Sequence, residues 1–435
     1  MSDSSHHEDE ALSWWDERLL RIKENDPNVK SIDNFQFNED DDIQNTTGEK
    51  WEELGSDISN NTHLTELNLH SGALHNDKIS FLFRGLTRSS SIKTLNLNGN
   101  GFSVGGVRSM VPFLQNANSL TSLYLRKNNI QSEGFNVLLR ALRNSSIESL
   151  ICNDCGIDSI EIDSENIPVH LKALYLNCNS IDADGCRGLT KLLQGRDATL
   201  ETLYLQNNKI DDEGVEILVE TLQRNTSLRE LYLVGNEGIS KRGKTSLLKL
   251  VNDISGIEAT LQSNHTLRHL NVVEQRITER IQMLINTATR INKSFEGDPE
   301  TAGREKVIQT QLNSKTRADL TALQGVNHSL YSEIDPLHLP EVLALVGRRL
   351  GQKELYTALR SAIAGVISIV NREQCIEVQM AYHASKLEHH ASRLEQLGAE
   401  LAAIKAARGG KAVDGETLIS KRRRKWWWDL WGRTS

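Results

Sequence analysis

Apolar residues recur along this chain in one phrase, Leu-x-x-Leu-x-Leu. It stands at Leu64/Leu67/Leu69, Ile92/Leu95/Leu97, Leu120/Leu123/Leu125, Leu171/Leu174/Leu176, Leu200/Leu203/Leu205 and Leu228/Leu231/Leu233. Weaker copies at Ile32/Phe35/Phe37, Ile147/Leu150/Cys152 and Leu267/Leu270/Val272 bring the count to nine units, with a typical spacing of 28 residues. Alternation within the phrase predicts a short strand whose leucines face one way and whose intervening residues face the other. Three residues after the last strand position come Asn100, Asn128, Asn179, Asn208 and Asn236. A short amide there can bond neighbouring backbone groups, so stacked copies form a ladder that satisfies buried polar backbone. Gly-x-x-x-Leu-x-x-x-Leu then follows, as in Gly134/Leu138/Leu142, Gly185/Leu189/Leu193 and Gly214/Leu218/Leu222, which is one face of a helix.

Parallel strands stack about 4.8 Å apart, whereas helices need about 10 Å. The array is therefore expected to curve, with strands lining a concave face. Two units depart from the pattern. The unit starting at Ile147 spans 24 residues, lacks the helical spacing and carries Pro168, which predicts an extended or short-turn outer segment and a locally flatter solenoid. The last interval, 39 residues long, has room for a longer or second helix over 244–261.

These residues resemble the leucine-rich repeats of the ribonuclease-inhibitor type, which also form the sensor domains of NOD-like receptors and the body of Ran GTPase-activating proteins. The likeness covers roughly residues 28–295. It implies an α/β solenoid, a curved horseshoe of inner parallel strands and outer helices.

If the leucines point inward, the alternate positions face a partner. They place Tyr124, Tyr175, Tyr204 and Tyr232 in one row, four of the seven tyrosines in the chain. Arg126, Glu230, Glu66 and Asn96 join them on that face. Exposed tyrosine in a row is the composition of a protein-binding patch. Strand propensity alone would place Val or Thr there equally well.

A solenoid exposes its core at both ends unless capped. Trp14, Trp15, Leu19, Leu20 and Ile22 fall at near-helical spacing before the first unit, and Ile277, Ile281, Leu284, Ile285, Ala288 and Ile291 after the last. Gly297-Asp298-Pro299 then breaks the chain. From Leu355 to Ile404 apolar positions alternate in steps of four and three, a coiled-coil seam that predicts self-association or pairing with another helix. The alternative is a helix folded back on the solenoid. His383 and His390 occupy seam positions and could sense pH, though polar seam residues are commonly just tolerated. The predicted organisation is an acidic, disordered N-terminus with a helical cap (1–27), the solenoid (28–295), a linker with short helices (296–339), the long helical region, all-α and coiled-coil (340–408), and a basic, Trp-rich tail (409–435).

Charge sharpens this division. Residues 1–60 hold five basic and seventeen acidic side chains, 61–299 hold 25 and 26, and 300–435 hold 20 and 15. A neutral solenoid argues against specific nucleic-acid binding. The tail Lys421-Arg-Arg-Arg-Lys-Trp-Trp-Trp-Asp-Leu-Trp431 carries four of the seven tryptophans beside a basic run, which fits an anionic membrane surface or a nuclear import receptor. Five cysteines at uneven spacing and the lack of a signal peptide lead us to expect a reducing compartment, the cytoplasm, with the nucleus or a membrane periphery as alternatives.

Three motifs imitate chemistry. Gly238 to Thr245 matches Gly-x(4)-Gly-Lys-Thr of a phosphate-binding loop, but Ile239 and Gly243 are the repeat's own apolar and glycine positions. Gly101-Phe-Ser103-Val-Gly105 spells a nucleophile elbow, with Phe102 in the repeat's apolar slot. Cys152 and Cys155 with Cys178 and Cys186 have zinc-like spacing, yet Cys152 replaces a core leucine, Cys186 a helix-face residue and Cys155 a ladder asparagine. Sequons such as Asn144-Ser-Ser146 and Asn225-Thr-Ser227 are part of the repeat consensus. The expectation is a non-enzymatic scaffold without cofactor or metal, binding a protein on its concave face and oligomerising or docking through its C-terminal region. Two alternatives stand: a GTPase-activating protein of the Ran type, which the resemblance raises, and a membrane-associated scaffold working through the tail.

Overall fold

A computed structural model describes residues 14–33, 47–162, 167–194, 198–273, 280–311, Gln324 and Ala399. Apart from 307–311 and Ala399, all of these belong to one compact unit. The second unit contributes only a wide helical turn at Val307–Gln311. Apart from Ala399, the expected coiled coil at 355–404, with His383 and His390, and the tail at 421–431 lie outside the described residues.

In the first unit nine strands of three residues each form a single parallel sheet in chain order. They are β1 (Ser31–Asp33), β2 (Glu66–Asn68), β3 (Thr94–Asn96), β4 (Ser122–Tyr124), β5 (Ser149–Ile151), β6 (Ala173–Tyr175), β7 (Thr202–Tyr204), β8 (Glu230–Tyr232) and β9 (His269–Asn271). Between them run α2 (Gly48–Asn60), α3 (Asn76–Gly85), α4 (Val104–Asn116), α5 (Gln131–Ala141), α6 (Ala183–Leu193), α7 (Asp212–Leu222), α8 (Lys241–Val251) and α9 (Ile257–Gln262). Helix α1 (Trp14–Lys23) precedes the sheet, and α10 (Arg280–Ser294) and α11 (Pro299–Lys306) follow it. This is the repeat solenoid that the periodicity predicts, including the second helix in the long last interval, between β8 and β9. No helix among the described residues is long and apolar enough to cross a membrane.

The repeat leucines fill the layer between sheet and helices. Leu67, Leu95, Leu123, Leu150, Leu174, Leu203, Leu231 and Leu270 are register partners along the sheet and are all buried. Each such side chain contributes about 2 kcal/mol relative to exposure. The first unit departs from the sequence reading. Ile32 pairs with Leu67, so Val29 and Ile32, not Ile32 and Phe35, occupy the first two leucine positions. Val29 is fully buried, and a valine at that site satisfies the core as well as leucine does. The sequence alone could not choose between two overlapping apolar spacings.

No helix joins β5 to β6 among the described residues. The described part of this connection, up to Ile162, has neither helix nor strand beyond β5, with Ile157, Ile160 and Ile162 buried. It lies so near α6 that a Cβ on Gly188 would stand 2.0 Å from the Ile160 carbonyl oxygen. Glycine is required there by space. The outer layer is sealed at its start by α1, where Ile22 is buried while Leu20 remains 43% exposed, so only part of the expected cap face is used. At the other end α10 buries Ile281, Leu284, Ile285, Ala288 and Ile291; Ile277 is outside the described residues. Gln282 of this helix acts on the last strand's edge: its Nε2 donates to Leu270 O at 2.8 Å and its Oε1 accepts from Val272 N at 2.9 Å. One side chain thus supplies the donor and acceptor that a tenth strand would have offered.

Candidate protein-binding face

Helices cover one side of the sheet, and the side chains between the leucines stand on the other. Along the middle row register pairs Asn96 with Tyr124, Tyr124 with Ile151, Ile151 with Tyr175, Tyr175 with Tyr204, and Tyr204 with Tyr232. The four tyrosines are half-buried. Ile151, which stands in the same row, is buried to 9% exposure, since it lies between the larger rings of Tyr124 and Tyr175.

Three of the tyrosines form a stack. The Tyr175 and Tyr204 ring centroids lie 4.6 Å apart at 14°, and those of Tyr204 and Tyr232 lie 4.3 Å apart at 8°. The spacing follows from the sheet, because adjacent strands sit about 4.8 Å apart and identical side chains in register must stack. Tyr232 Oη donates to Glu230 Oε2 at 3.3 Å. Burial pushes the Tyr175 hydroxyl above its ordinary pKa, and burial with the neighbouring Tyr204 and Glu230 does the same at Tyr232. Tyr175 and Tyr232 are thereby held neutral and present hydroxyl donors. Glu66 and Arg126 are exposed, while Asn96 and Glu230 are half-buried. The asparagine at 96 accepts from Asn98 N at 3.1 Å.

Beneath the face, the turn asparagines have one recurring geometry. Asn128 Nδ2 donates to Leu97 O and Leu125 O, and its Oδ1 accepts from Asn100 N. Asn100 in turn donates to Leu69 O and Leu97 O. Asn179, Asn208 and Asn236 repeat the double donation onto the leucine or cysteine carbonyls of their own and the preceding unit. At Cys155 the rung is a thiol, whose Sγ donates to Leu125 O at 3.2 Å. The residue before each rung, namely Gly99, Lys127, Asp154, Cys178, Asn207 and Gly235, has a left-handed backbone. Composition gives no hint of that at lysine or cysteine, where the fold imposes the conformation.

Two further ladders went unread in the sequence. Asn98 Oδ1 accepts from Arg126 N, Asn153 Oδ1 from Asn177 N and Asn177 Oδ1 from Gln206 N, at 2.6, 2.8 and 3.0 Å. At the rim, Glu148 pairs with Lys172, Glu201 with Arg229, and Glu296 with both Arg229 and Arg268. The signal for both was present as amides and alternating charges at one repeat position, but it needs the register to be seen.

The motifs resembling catalytic sites fall within the repeat. Asp212 Oδ1 accepts from Ser240 N at 2.8 Å and Gly243 N at 3.0 Å, so a carboxylate already occupies loop amides between Gly238 and Thr245. Burial would raise this carboxyl, yet the hydrogen bonds from Ser240 and Gly243 hold it below its ordinary pKa. Ser103 Oγ accepts from Asn76 Nδ2 at 2.8 Å. Cys152, Cys155 and Cys186 are buried, Cys178 is exposed, and burial beside Asp182 and Asp211 pushes the Cys186 thiol up to about 12. Among the described residues no group of three or more His, Cys, Asp or Glu side chains is placed to hold a metal ion.

Comparison with known proteins follows the same lines. A leucine-rich-repeat family profile matches residues 116–135, 169–189 and 196–219. The human NACHT, LRR and PYD domains-containing protein 13 is 26% identical over 157 residues, which is 34% of this chain and 15% of that protein. The chain thus spans less than a sixth of that relative's length. A solved structure titled Leiomodin-1 Actin-Binding Site 2 aligns over 71% of this chain and 99% of its own at 12% identity, with a TM-score of 0.16, too loose a superposition to bear on the fold. The profile match and the nine parallel strands alternating with helices show a leucine-rich-repeat α/β solenoid in this chain, similar to the repeats that the relative's name records.

Proposed function

We propose that this protein is a scaffold that binds a protein partner on the open face of its sheet, with the tyrosine row as the anchor. The stacked Tyr175, Tyr204 and Tyr232 carry this reading. Rings already ordered by stacking lose little rotamer freedom on binding, and half-burial leaves their edges and hydroxyls available to a partner. Uncharged amides at Asn96, Asn98, Asn153 and Asn177 surround the row and can pair with a partner's backbone. The heptad seam at 355–404 supports self-association, and the basic, Trp-rich segment at 421–431 supports docking to an anionic surface, as parts of the same scaffold.

The test is a quantitative pull-down from native lysate with full-length wild type and a Tyr124/Tyr175/Tyr204/Tyr232→Ala variant, both verified as folded by circular dichroism. Specific proteins retained by the wild type are expected to be lost with the tyrosines, by tenfold or more, since an aromatic anchor contributes about 2 kcal/mol or more. Unchanged prey would remove the open face from consideration.

A further inference from the structure

The charge beside the tyrosine stack is unbalanced. Glu230 is half-buried on β8, and register places Thr202 on one side of it and His269 on the other. The nearby cations are engaged elsewhere: Arg229 lies 3.4 Å from Glu201 and 3.3 Å from Glu296, and Arg268 lies 2.6 Å from Glu296. Among the described residues no basic side chain pairs with Glu230, whose Oε2 accepts from the Tyr232 hydroxyl and whose Oε1 retains its lone pairs. Tyr204 covers one face of the Tyr232 ring. On its other side the register partner is Asn271, and among the described residues no second ring closes the stack there.

A carboxylate next to an open aromatic face has a specific complement. The ligand must be cationic to satisfy Glu230 and planar to lie against a ring, and it should present two parallel N–H donors to a carboxylate. Guanidinium meets all three conditions, whereas an ammonium is a compact point charge that cannot stack and a phosphate would be repelled. We propose that the C-terminal half of the open face, Tyr232 with Glu230, is a recognition site for an arginine side chain of the protein partner. This rests on the reading of the open face as the binding surface, and it names what that surface selects.

The experiment uses the full chain with 13C-labelled tyrosine, titrated to millimolar concentration with the blocked peptide Gly-Gly-Arg-Gly-Gly and with the same peptide carrying citrulline, which is isosteric and uncharged. Saturable shifts of the Tyr232 and Tyr204 signals are expected with the arginine peptide, with affinity about tenfold weaker for citrulline. Glu230→Gln should abolish that difference while leaving the far-ultraviolet spectrum unchanged. Equal responses to the two peptides, or no response to either at millimolar concentration, would overturn the arginine assignment. The pull-down with the tyrosine variant separates the two ideas: prey lost there without an arginine response means a binding face whose anchor has another chemistry.

Discussion

Asn208→Ala is expected to lower the stability of the repeat array by about 3 kcal/mol, seen as a fall in the urea midpoint. The Asn208 Nδ2 donates to Leu176 O at 2.9 Å and Leu205 O at 3.0 Å, and its Oδ1 accepts from Ile181 N at 3.1 Å. All these groups are buried between two units. Alanine leaves the Ile181 amide without its acceptor, and an orphaned buried donor costs about 1–3 kcal/mol. The two carbonyls lose less, because Asn179 still donates to Leu176 O and Asn236 to Leu205 O. Asn208→Asp should be worse despite its identical shape, since it exchanges two N–H donors for a carboxylate oxygen aimed at two carbonyls. Asn208→Cys should fall between wild type and alanine, because Cys155 already acts as a rung in this molecule. An alanine variant within about 0.5 kcal/mol of wild type would mean the ladder is ornamental.

The second large effect is acid lability of the C-terminal cap. His265 Nε2 lies 3.0 Å from Leu261 O, so this nitrogen carries the proton of the neutral ring and Nδ1 is the acceptor. Lys306 Nζ, fully buried on α11, donates to that Nδ1 at 3.0 Å, to Val251 O at 2.6 Å and to Asn264 O at 3.0 Å. Three acceptors call for the three N–H groups of an ammonium, against the burial that pushes the lysine amine well below its ordinary pKa. Burial first, and then this neighbouring cation, lower His265 from 6.5 to about 4.

The sign follows from proton counting. Between pH 6.5 and 4 the unfolded chain binds the imidazole proton and the folded chain does not, so the His265 contribution to stability is complete above pH 6.5 and is lost as pH falls towards 4. At about 1.4 kcal/mol per pH unit the loss totals about 3 kcal/mol. Unfolding midpoints at a series of pH values for wild type and His265→Gln should diverge over this window, with the glutamine variant shallower. Parallel curves would show that the ring titrates alike in both states.

The nine-unit periodicity and the break in helical spacing after β5 were legible because each follows from apolar spacing, which burial enforces. What escaped the sequence depends on distances between units. In the first unit Val29 and Ile32 hold the positions that the sequence offered to Ile32 and Phe35, because two apolar frames lie three residues apart. The tyrosine row could be listed from alternation, whereas the stacking of Tyr175 on Tyr204 and Tyr204 on Tyr232 needed the strands in register. Lys306 and His265 are 41 residues apart and in no motif, so nothing in the linear order couples them.

The fifth unit brings together two departures described above: a thiol rung at Cys155 in place of the amide, and no outer helix among its described residues. In a quasi-one-dimensional array, cooperativity passes only through neighbouring interfaces, so the weakest interface decides where the chain divides. A thiol is a weak donor and offers one proton where asparagine offers two. Native-state hydrogen exchange should therefore resolve two cooperative blocks meeting near Cys155, with amides of the fifth unit opening at lower free energy than those of β2–β4 or β6–β8. A mechanical load across the molecule would part it there first. Tyr124 and the Tyr175–Tyr232 stack lie on opposite sides of that seam, so a partner gripping both would hold the two blocks together and raise the cost of separating them.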